Sequence, residues 1–130
     1  MPDIVGIGTD MCGIARIEKA IEKAHFYERV FSKEERAYLE QRGKQKAASA
    51  AAMFAAKEAV AKALGTGFAK GVSVSGISVT HDEFGAPGVV LSGGALERLH
   101  EIGGNDVLIS LSHEGDTALA FALARGQSKE

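Results

Sequence analysis

Residues 47–64 read AASAAAMFAAKEAVAKAL, and they give the strongest helix prediction in the chain. Ten of its eighteen residues are alanine, and it contains neither glycine nor proline. Because alanine has the highest helix propensity and glycine and proline have the lowest, the composition predicts one long helix. Gly65-Thr66-Gly67 is expected to end it, since glycine is the usual residue just past a helix C-terminus. So many small side chains predict that the helix packs closely against other backbone.

The chain before this helix predicts one strand and two further helices. Ile4–Thr9 has the composition of a short strand, and Asp10 follows at its end. Ser32-Lys33-Glu34-Glu35 has the pattern of a capping box, which predicts a helix from Lys33 to near Gly43. Between them lies another helix, whose apolar face is formed by Ile14, Ile17, Ile21 and Ala24.

The chain after residue 67 changes to the period-two pattern of strands. Two hairpins are predicted, and a short helix over residues 95–102 lies between them. The expected strands lie at 77–79, 89–91, 107–111 and 119–123, with turns at 82–85 and 113–116. The predicted fold class is therefore α+β, with a small antiparallel sheet packed against a long Ala-rich helix. We expect a single domain over residues 1–130, with residues 126–130 as a frayed tail.

Composition narrows the class of protein. The 130 residues are 45% apolar and 25% charged, which is typical of one globular domain. No apolar run approaches the roughly 18 residues that span a bilayer, and the N-terminus lacks the pattern of a secretory signal, so we expect no membrane association. Cys12 is the only cysteine, which excludes an intrachain disulfide and favours a cytoplasmic location.

Charge is distributed unevenly along the chain. Residues 14–46 carry nine lysines and arginines against six glutamates, although the whole chain has a net charge of −2. This basic segment suits an acidic partner, and a solvated helix face explains it equally well. Because the basic excess is modest and aromatic residues are only 6% of the chain, the sequence argues against binding of nucleic acid.

Three segments combine residues that carry chemistry: Gly6–Asp10, Phe54–Gly67 and Ser110–His113. Each has an ordinary structural explanation. An aspartate after a strand is commonly a helix N-cap. Glu58 and Lys62 are spaced four apart, as in a simple helical ion pair. The glycines are explained by a helix end, and a histidine at a hairpin turn is more often structural than catalytic.

Taken together and in this order, the motifs of these segments closely resemble those of holo-(acyl-carrier-protein) synthases, the short bacterial type of the 4'-phosphopantetheinyl transferase family. The motifs are GIGTD, FAAKEA followed by KALGTG, and SLSH. The resemblance extends from Ile4 to about Ala124. It implies an enzyme that transfers 4'-phosphopantetheine from coenzyme A to a serine of apo-acyl carrier protein. Two alternatives are a catalytically silent module that binds coenzyme A or a nucleotide, and a purely structural oligomerisation domain.

The resemblance also implies roles for individual residues. Asp10 and Glu58 are expected to be catalytic and to hold Mg²⁺, a hard cation that suits carboxylates and phosphates. The proton of the carrier's serine would pass either to Glu58 or to a metal-bound water or hydroxide. The residues expected to bind coenzyme A are Lys62, Gly65, Thr66 and His113, with Lys44 and Lys46 as further phosphate contacts.

Three further expectations come from the same resemblance. Family members often have arginine where this chain has Met53, so a bidentate phosphate contact is expected to be missing. The acidic helix of the carrier protein is expected to dock on a basic surface formed by Arg16, Lys19, Lys23 and Arg29. The short members form trimers with sites at subunit boundaries, so we expect a homotrimer in which His113, or Lys44 and Lys46, come from a neighbouring subunit.

Overall fold

Five α-helices and five strands form the chain in a computed structural model, which describes residues 2–127. The helices are α1 (Ile14–Ala20), α2 (Ala24–Val30), α3 (Lys33–Glu40), α4 (Lys46–Ala63) and α5 (Gly93–Glu101). The strands are β1 (Pro2–Gly13), β2 (Ile77–His81), β3 (Pro87–Leu91), β4 (Gly104–Glu114) and β5 (Thr117–Gln127). This arrangement confirms the predicted α+β class.

The strands form two antiparallel sheets. The larger has the order β1-β5-β4. The last strand, β5, therefore lies in the middle, between β1 and β4, and β4 is its hairpin partner. The smaller sheet is the β2-β3 hairpin. In the larger sheet, Asp10 pairs with Ala120, which in turn pairs with Leu111.

Helix α4 covers the inner face of the larger sheet. The side chains of β5 that face α4 are all small, namely Ala118, Ala120, Ala122 and Ala124, and each is fully buried. On β1, a Cβ atom at Gly6 would overlap the carbonyl of Ala63, and one at Gly8 would overlap the carbonyl of Ala59. The alanines and glycines therefore let α4 lie almost directly on the strands, which confirms the close packing predicted for this helix.

The large side chains of β5 point the other way. Leu119 and Phe121 lie on the outer face of the sheet and are 41% and 43% exposed. Ile7, Met11 and Leu108 are exposed on the same face, since residues that pair across neighbouring strands share a face. Ile7 and Leu108 both pair with Leu123, and Met11 pairs with Leu119. We refer to Ile7, Met11, Leu108, Leu119 and Phe121 as the outer face.

A buried ion pair joins α3 and α4 to the β2-β3 hairpin. Lys57 of α4 donates to Glu35 of α3 over 2.8 Å, and it also donates to the carbonyl of Ile77. Glu35 accepts from the backbone N–H groups of Ser32 and Val79, over 2.8 and 2.7 Å. The Ser32–Glu35 capping box predicted from the sequence is present. Its glutamate also accepts hydrogen bonds from Lys57 of α4 and Val79 of β2.

Several predicted boundaries were wrong. Residues 14–24 do not form one helix, because α1 ends at Ala20 and Lys23 is the N-cap of α2. Strand β1 continues to Gly13, since β5 is long enough to pair with it that far, so Asp10 lies within the strand. His113 lies in β4 and not in the turn that follows it.

The predicted tail was also wrong in part. Gly126 and Gln127 belong to β5 and pair with Asp3 and Pro2. Residues 128–130 lie outside the described part of the chain. Within residues 2–127, none of the helices combines the length and the apolarity that crossing a bilayer requires.

Candidate active site

Asp10 and Glu58 meet where β1 and α4 pack together. Asp10 is on the inner face of β1, and its side chain is 15% exposed. Glu58 is half-buried on α4. Because Gly8 lets α4 approach β1 without a side chain between them, two carboxylates from distant parts of the sequence become neighbours.

Lys62 completes this cluster of charges. Its Nζ atom lies 3.0 Å from a carboxylate oxygen of Asp10 and 3.0 Å from the carbonyl oxygen of Thr9. The sequence left open a simple ion pair between Glu58 and Lys62, but the described contact of Lys62 is with Asp10. The lysine side chain is 53% exposed, so its ammonium group is open to a ligand from solvent.

The electrostatics of Glu58 reflect its neighbours. Burial raises the pKa of Glu58, and the Asp10 carboxylate raises it further, while Arg16 and Lys62 lower it. Burial and a like charge both disfavour the ionised form of a carboxyl group. A divalent cation between the two carboxylates would remove this repulsion.

Asp10 and Glu58 fit a magnesium ion. Mg²⁺ is commonly held by one or two carboxylates, with water and phosphate oxygens in its other positions. No group of three or more His, Cys, Asp and Glu side chains suited to a metal occurs within residues 2–127. Two carboxylates are too few for a closed structural metal site. They suit a cation whose remaining positions are filled in part by a phosphate ligand.

The loop after α4 has a well-defined geometry. Gly65 adopts φ = +83°, its N–H bonds to the carbonyl of Lys62, and the N–H of Thr66 bonds to the carbonyl of Ala61, as in a Schellman motif. The hydroxyl of Thr66 donates to the carbonyl of Gly67 over 2.8 Å. The N–H groups of Gly65 and Thr66 are thus used in ending the helix. What this loop offers a ligand is close approach to an exposed backbone at Gly65.

The other residues expected to bind phosphate lie elsewhere in the chain. His113 is exposed on β4, which β5 separates from β1, so the two strands are about 10 Å apart. Lys46 starts α4, and twelve residues of helix place it about 18 Å from Glu58 along the axis. Lys46 is also paired with Glu40 over 2.7 Å, and Lys44 is exposed beside it. One chain does not bring these three residues to the Asp10–Glu58 cluster.

The predicted docking residues are all on the surface. Arg16, Lys19, Lys23 and Arg29 are exposed on α1, on α2 and between them. Arg16 is close enough to the cluster to lower the pKa of Glu58. Of the four, Arg16 is therefore the one whose charge acts on the carboxylate cluster.

Position 53 does not face a ligand in this chain. Met53 is 1% exposed and is part of the hydrophobic core. Met53 therefore packs in the core of a single chain, and the absence of a phosphate contact from this position stays a prediction.

Two features of the site were missed from the sequence. Lys57, which precedes Glu58 in the sequence, is buried in a pair with Glu35, and no sequence pattern links these two residues, 22 positions apart on different helices. Arg98 of α5 donates its Nε–H to the carbonyl of Leu64 over 2.9 Å, beside Gly65. No local sequence pattern indicates this contact between α5 and the end of α4.

Comparison with known proteins bears on the whole chain. Residues 6–122 match the family model of the 4'-phosphopantetheinyl transferase superfamily. The chain is 47% identical over 124 residues to the holo-[acyl-carrier-protein] synthase of Gluconobacter oxydans, covering 92% of this chain and 79% of that protein.

Solved structures of holo-[acyl-carrier-protein] synthases also resemble this chain. The holo-[acyl-carrier-protein] synthase of Neisseria meningitidis superposes with a TM-score of 0.83 at 39% identity, covering 94% of this chain and 98% of that one. The Helicobacter pylori enzyme, solved in complex with coenzyme A, gives a TM-score of 0.75 at 33% identity, covering 91% and 98%. Motifs, fold and comparisons all lead to the same assignment: this chain belongs to the 4'-phosphopantetheinyl transferase superfamily.

Proposed function

We propose that this chain transfers the 4'-phosphopantetheine group of coenzyme A to a serine of apo-acyl carrier protein. The relatives named above are holo-[acyl-carrier-protein] synthases, and one of them was solved with coenzyme A. The observation that carries the proposal is the cluster of Asp10, Glu58 and Lys62 at the junction of β1 and α4. The serine Oγ would lose its proton, to Glu58 or to a water or hydroxide, and form a bond to the pantetheine-side phosphorus as the bond to the bridging oxygen breaks, releasing adenosine 3',5'-bisphosphate.

Asp10 and Glu58 would hold Mg²⁺ in this reaction. Bound there, the ion supplies positive charge that polarises the phosphorus under attack and offsets the charge developing on the leaving group. The two carboxylates come from elements that are rigidly packed together, so they are held in place before substrate binds.

Lys62 and the loop after α4 would position the pyrophosphate. The Lys62 ammonium is held by Asp10 and by the carbonyl of Thr9, which directs an exposed positive charge toward the carboxylate cluster. Gly65 and Thr66 would contribute by letting the ligand approach their backbone closely. These contacts bind and orient the substrate, and transfer then depends on the position of the serine.

The carrier protein would dock on the basic surface of Arg16, Lys19, Lys23 and Arg29. All four are exposed, and Arg16 lies at the end of this surface next to Glu58. An acidic helix placed along it would bring its serine to the carboxylates. Charges at the rim of an interface mainly increase the association rate and lose influence as salt is added.

Assembly into a homotrimer would complete the site. The outer face of the sheet presents five large apolar side chains to solvent, which is unusual for the surface of an isolated soluble chain. His113, Lys44 and Lys46 are too far from Asp10 and Glu58 within one chain, so a neighbouring subunit would supply them. We also propose a cytoplasmic location, which the single cysteine of the chain supports.

The decisive experiment is intact-protein mass spectrometry of apo-acyl carrier protein after incubation with this protein, coenzyme A and Mg²⁺. We expect the carrier to gain the mass of one phosphopantetheine group. EDTA should abolish the gain. Asp10→Asn and Glu58→Gln should each reduce the rate by at least about a hundredfold, because each removes one charged ligand from a two-carboxylate metal site.

The matched control is Glu97→Gln, which neutralises an exposed carboxylate on α5 and should leave the rate unchanged. Circular dichroism should show that all three variants are folded. A carrier that gains no mass with the wild-type protein, although another transferase modifies it, would reject the proposal. Isothermal titration would then show whether the chain binds coenzyme A without catalysis.

A further inference from the structure

We propose that Arg98 is a positioning residue for coenzyme A, and that α5 acts through it as a clamp on the loop that follows α4. This inference rests on the proposed function, because it assumes that the phosphates of coenzyme A lie beside Lys62 and Gly65. The clamp consists of two contacts, one at each end of residues 64–71.

The first contact is the hydrogen bond from Arg98 to Leu64. The Schellman motif satisfies the carbonyls of Ala61 and Lys62, but the carbonyl of Leu64 lies beyond it. The Nε–H of Arg98 donates to this oxygen over 2.9 Å. Another guanidinium nitrogen of Arg98 would be 3.5 Å from a Cβ atom at Gly65, so the side chain lies directly along the turn.

The second contact is between backbones. A Cβ atom at Gly94, in the first turn of α5, would overlap the carbonyl of Gly71. The N-terminal turn of α5 therefore touches the far end of the same loop. With Arg98 one helical turn further along, α5 holds residues 64–71 at both ends.

The positive charge of Arg98 should also favour phosphate binding, in addition to holding the loop in its conformation. The C-terminus of a helix carries a partial negative charge, which opposes the binding of phosphate there. The guanidinium of Arg98 bonds to one of the last carbonyls of α4, so it offsets this charge at the point where the proposed ligand lies. Lys62 in the last turn does the same from the other side.

Arg98 can be replaced without leaving a void. Its side chain is 32% exposed, and it borders an open surface cavity that Gly65, Thr66 and Lys70 also line. Loss of the guanidinium should therefore change the loop and its charge without unfolding the core.

The test compares Arg98→Met with wild type in steady-state kinetics. We expect the KM for coenzyme A to rise about tenfold, with kcat and the KM for carrier protein changed by less than twofold. Isothermal titration should show a matching loss of affinity for coenzyme A in the absence of carrier protein. Arg98→Lys, which keeps the charge near the helix end, should give an intermediate KM.

The control is Glu101→Gln, which breaks the exposed pair of Arg98 with Glu101 but keeps the bond to Leu64. Its KM should equal that of wild type. The proposal is wrong if Arg98→Met binds coenzyme A as wild type does, or if all its kinetic parameters fall together in proportion to a lower melting temperature. A wild-type protein that transfers nothing would refute the proposed function instead, and the titration would still test the clamp.

Discussion

Lys57 and Glu35 form a buried ion pair, and the neighbour of Lys57 in sequence is Glu58. Its side chain is 1% exposed and that of Glu35 is fully buried. Burial lowers the pKa of Lys57, and the adjacent Glu35 carboxylate opposes this shift. Because each partner also bonds to backbone groups, the pair stays satisfied although neither charge reaches water.

Removing one charge of this pair should be costly. We expect Lys57→Met to lower the free energy of unfolding by about 3–5 kcal/mol, since an unpaired carboxylate would remain in the core. The double variant Lys57→Met with Glu35→Gln should recover part of the loss, because no charge is then buried. Chemical denaturation followed by circular dichroism measures both values.

Lys46→Met is the control for this series. It removes a lysine from an exposed ion pair with Glu40 at the start of the same helix, so its effect should be much smaller. A double variant that is no more stable than Lys57→Met alone would show that the hydrogen bonds of Glu35 matter and its buried charge does not.

At the scale of elements, the sequence predicted what depends on local composition. The Ala-rich run gave α4 within one residue at each end, and the capping box gave the start of α3, because propensity and capping act over a few residues. The break between α1 and α2 was missed. Ile14, Ile17 and Ile21 keep helical spacing across it, so periodicity alone does not reveal a turn.

Pairings between distant elements could not be predicted either, because local sequence patterns extend over only a few residues. β1 extends to Gly13 only because β5 lies beside it, more than 100 residues later. Asp10 and Glu58 were linked through family resemblance, and the glycines of β1 supply the physical reason that they meet. Arg98 was not identified, because its contact depends on how α5 packs against the end of α4.

The exposed basic surface on α1 and α2 leads to a prediction about the carrier protein. Arg16→Ala should raise the KM for carrier protein about tenfold and leave the KM for coenzyme A within twofold, since docking loses a charge close to the reacting serine. Added salt should raise the wild-type KM for carrier protein and reduce the difference between the two proteins.

Lys33→Ala is the charge-matched control, because Lys33 is exposed at the start of α3, outside the proposed docking surface. Its KM for carrier protein should remain that of wild type. An Arg16→Ala variant with an unchanged KM for carrier protein would contradict docking on this surface.

Across the whole molecule, β1 and β5 of the larger sheet are unusual in placing glycines and alanines inward and large apolar side chains outward. The inner alanines are fully buried under α4, while Met11 on the outer face is 70% exposed and Phe121 is 43% exposed. In a chain that worked alone, this arrangement would leave the five large apolar side chains of the outer face in water. Cover by other copies of the chain explains both the outward side chains and the distance of His113 from Glu58.

Phe121→Asp should therefore dissociate the assembly and abolish transfer at the same time. A charge at the centre of the outer face would have to be buried in the subunit contact, which is strongly unfavourable, whereas Asp10 and Glu58 lie on the inner side of the sheet. Light scattering should give three times the chain mass of 13.6 kDa for wild type and a single chain mass for the variant. Leu96→Glu, at an exposed apolar position on α5, should keep the assembly and the activity. A Phe121→Asp protein that is monomeric but fully active would show that one chain holds the complete site, and that the apolar outer face serves something other than catalysis.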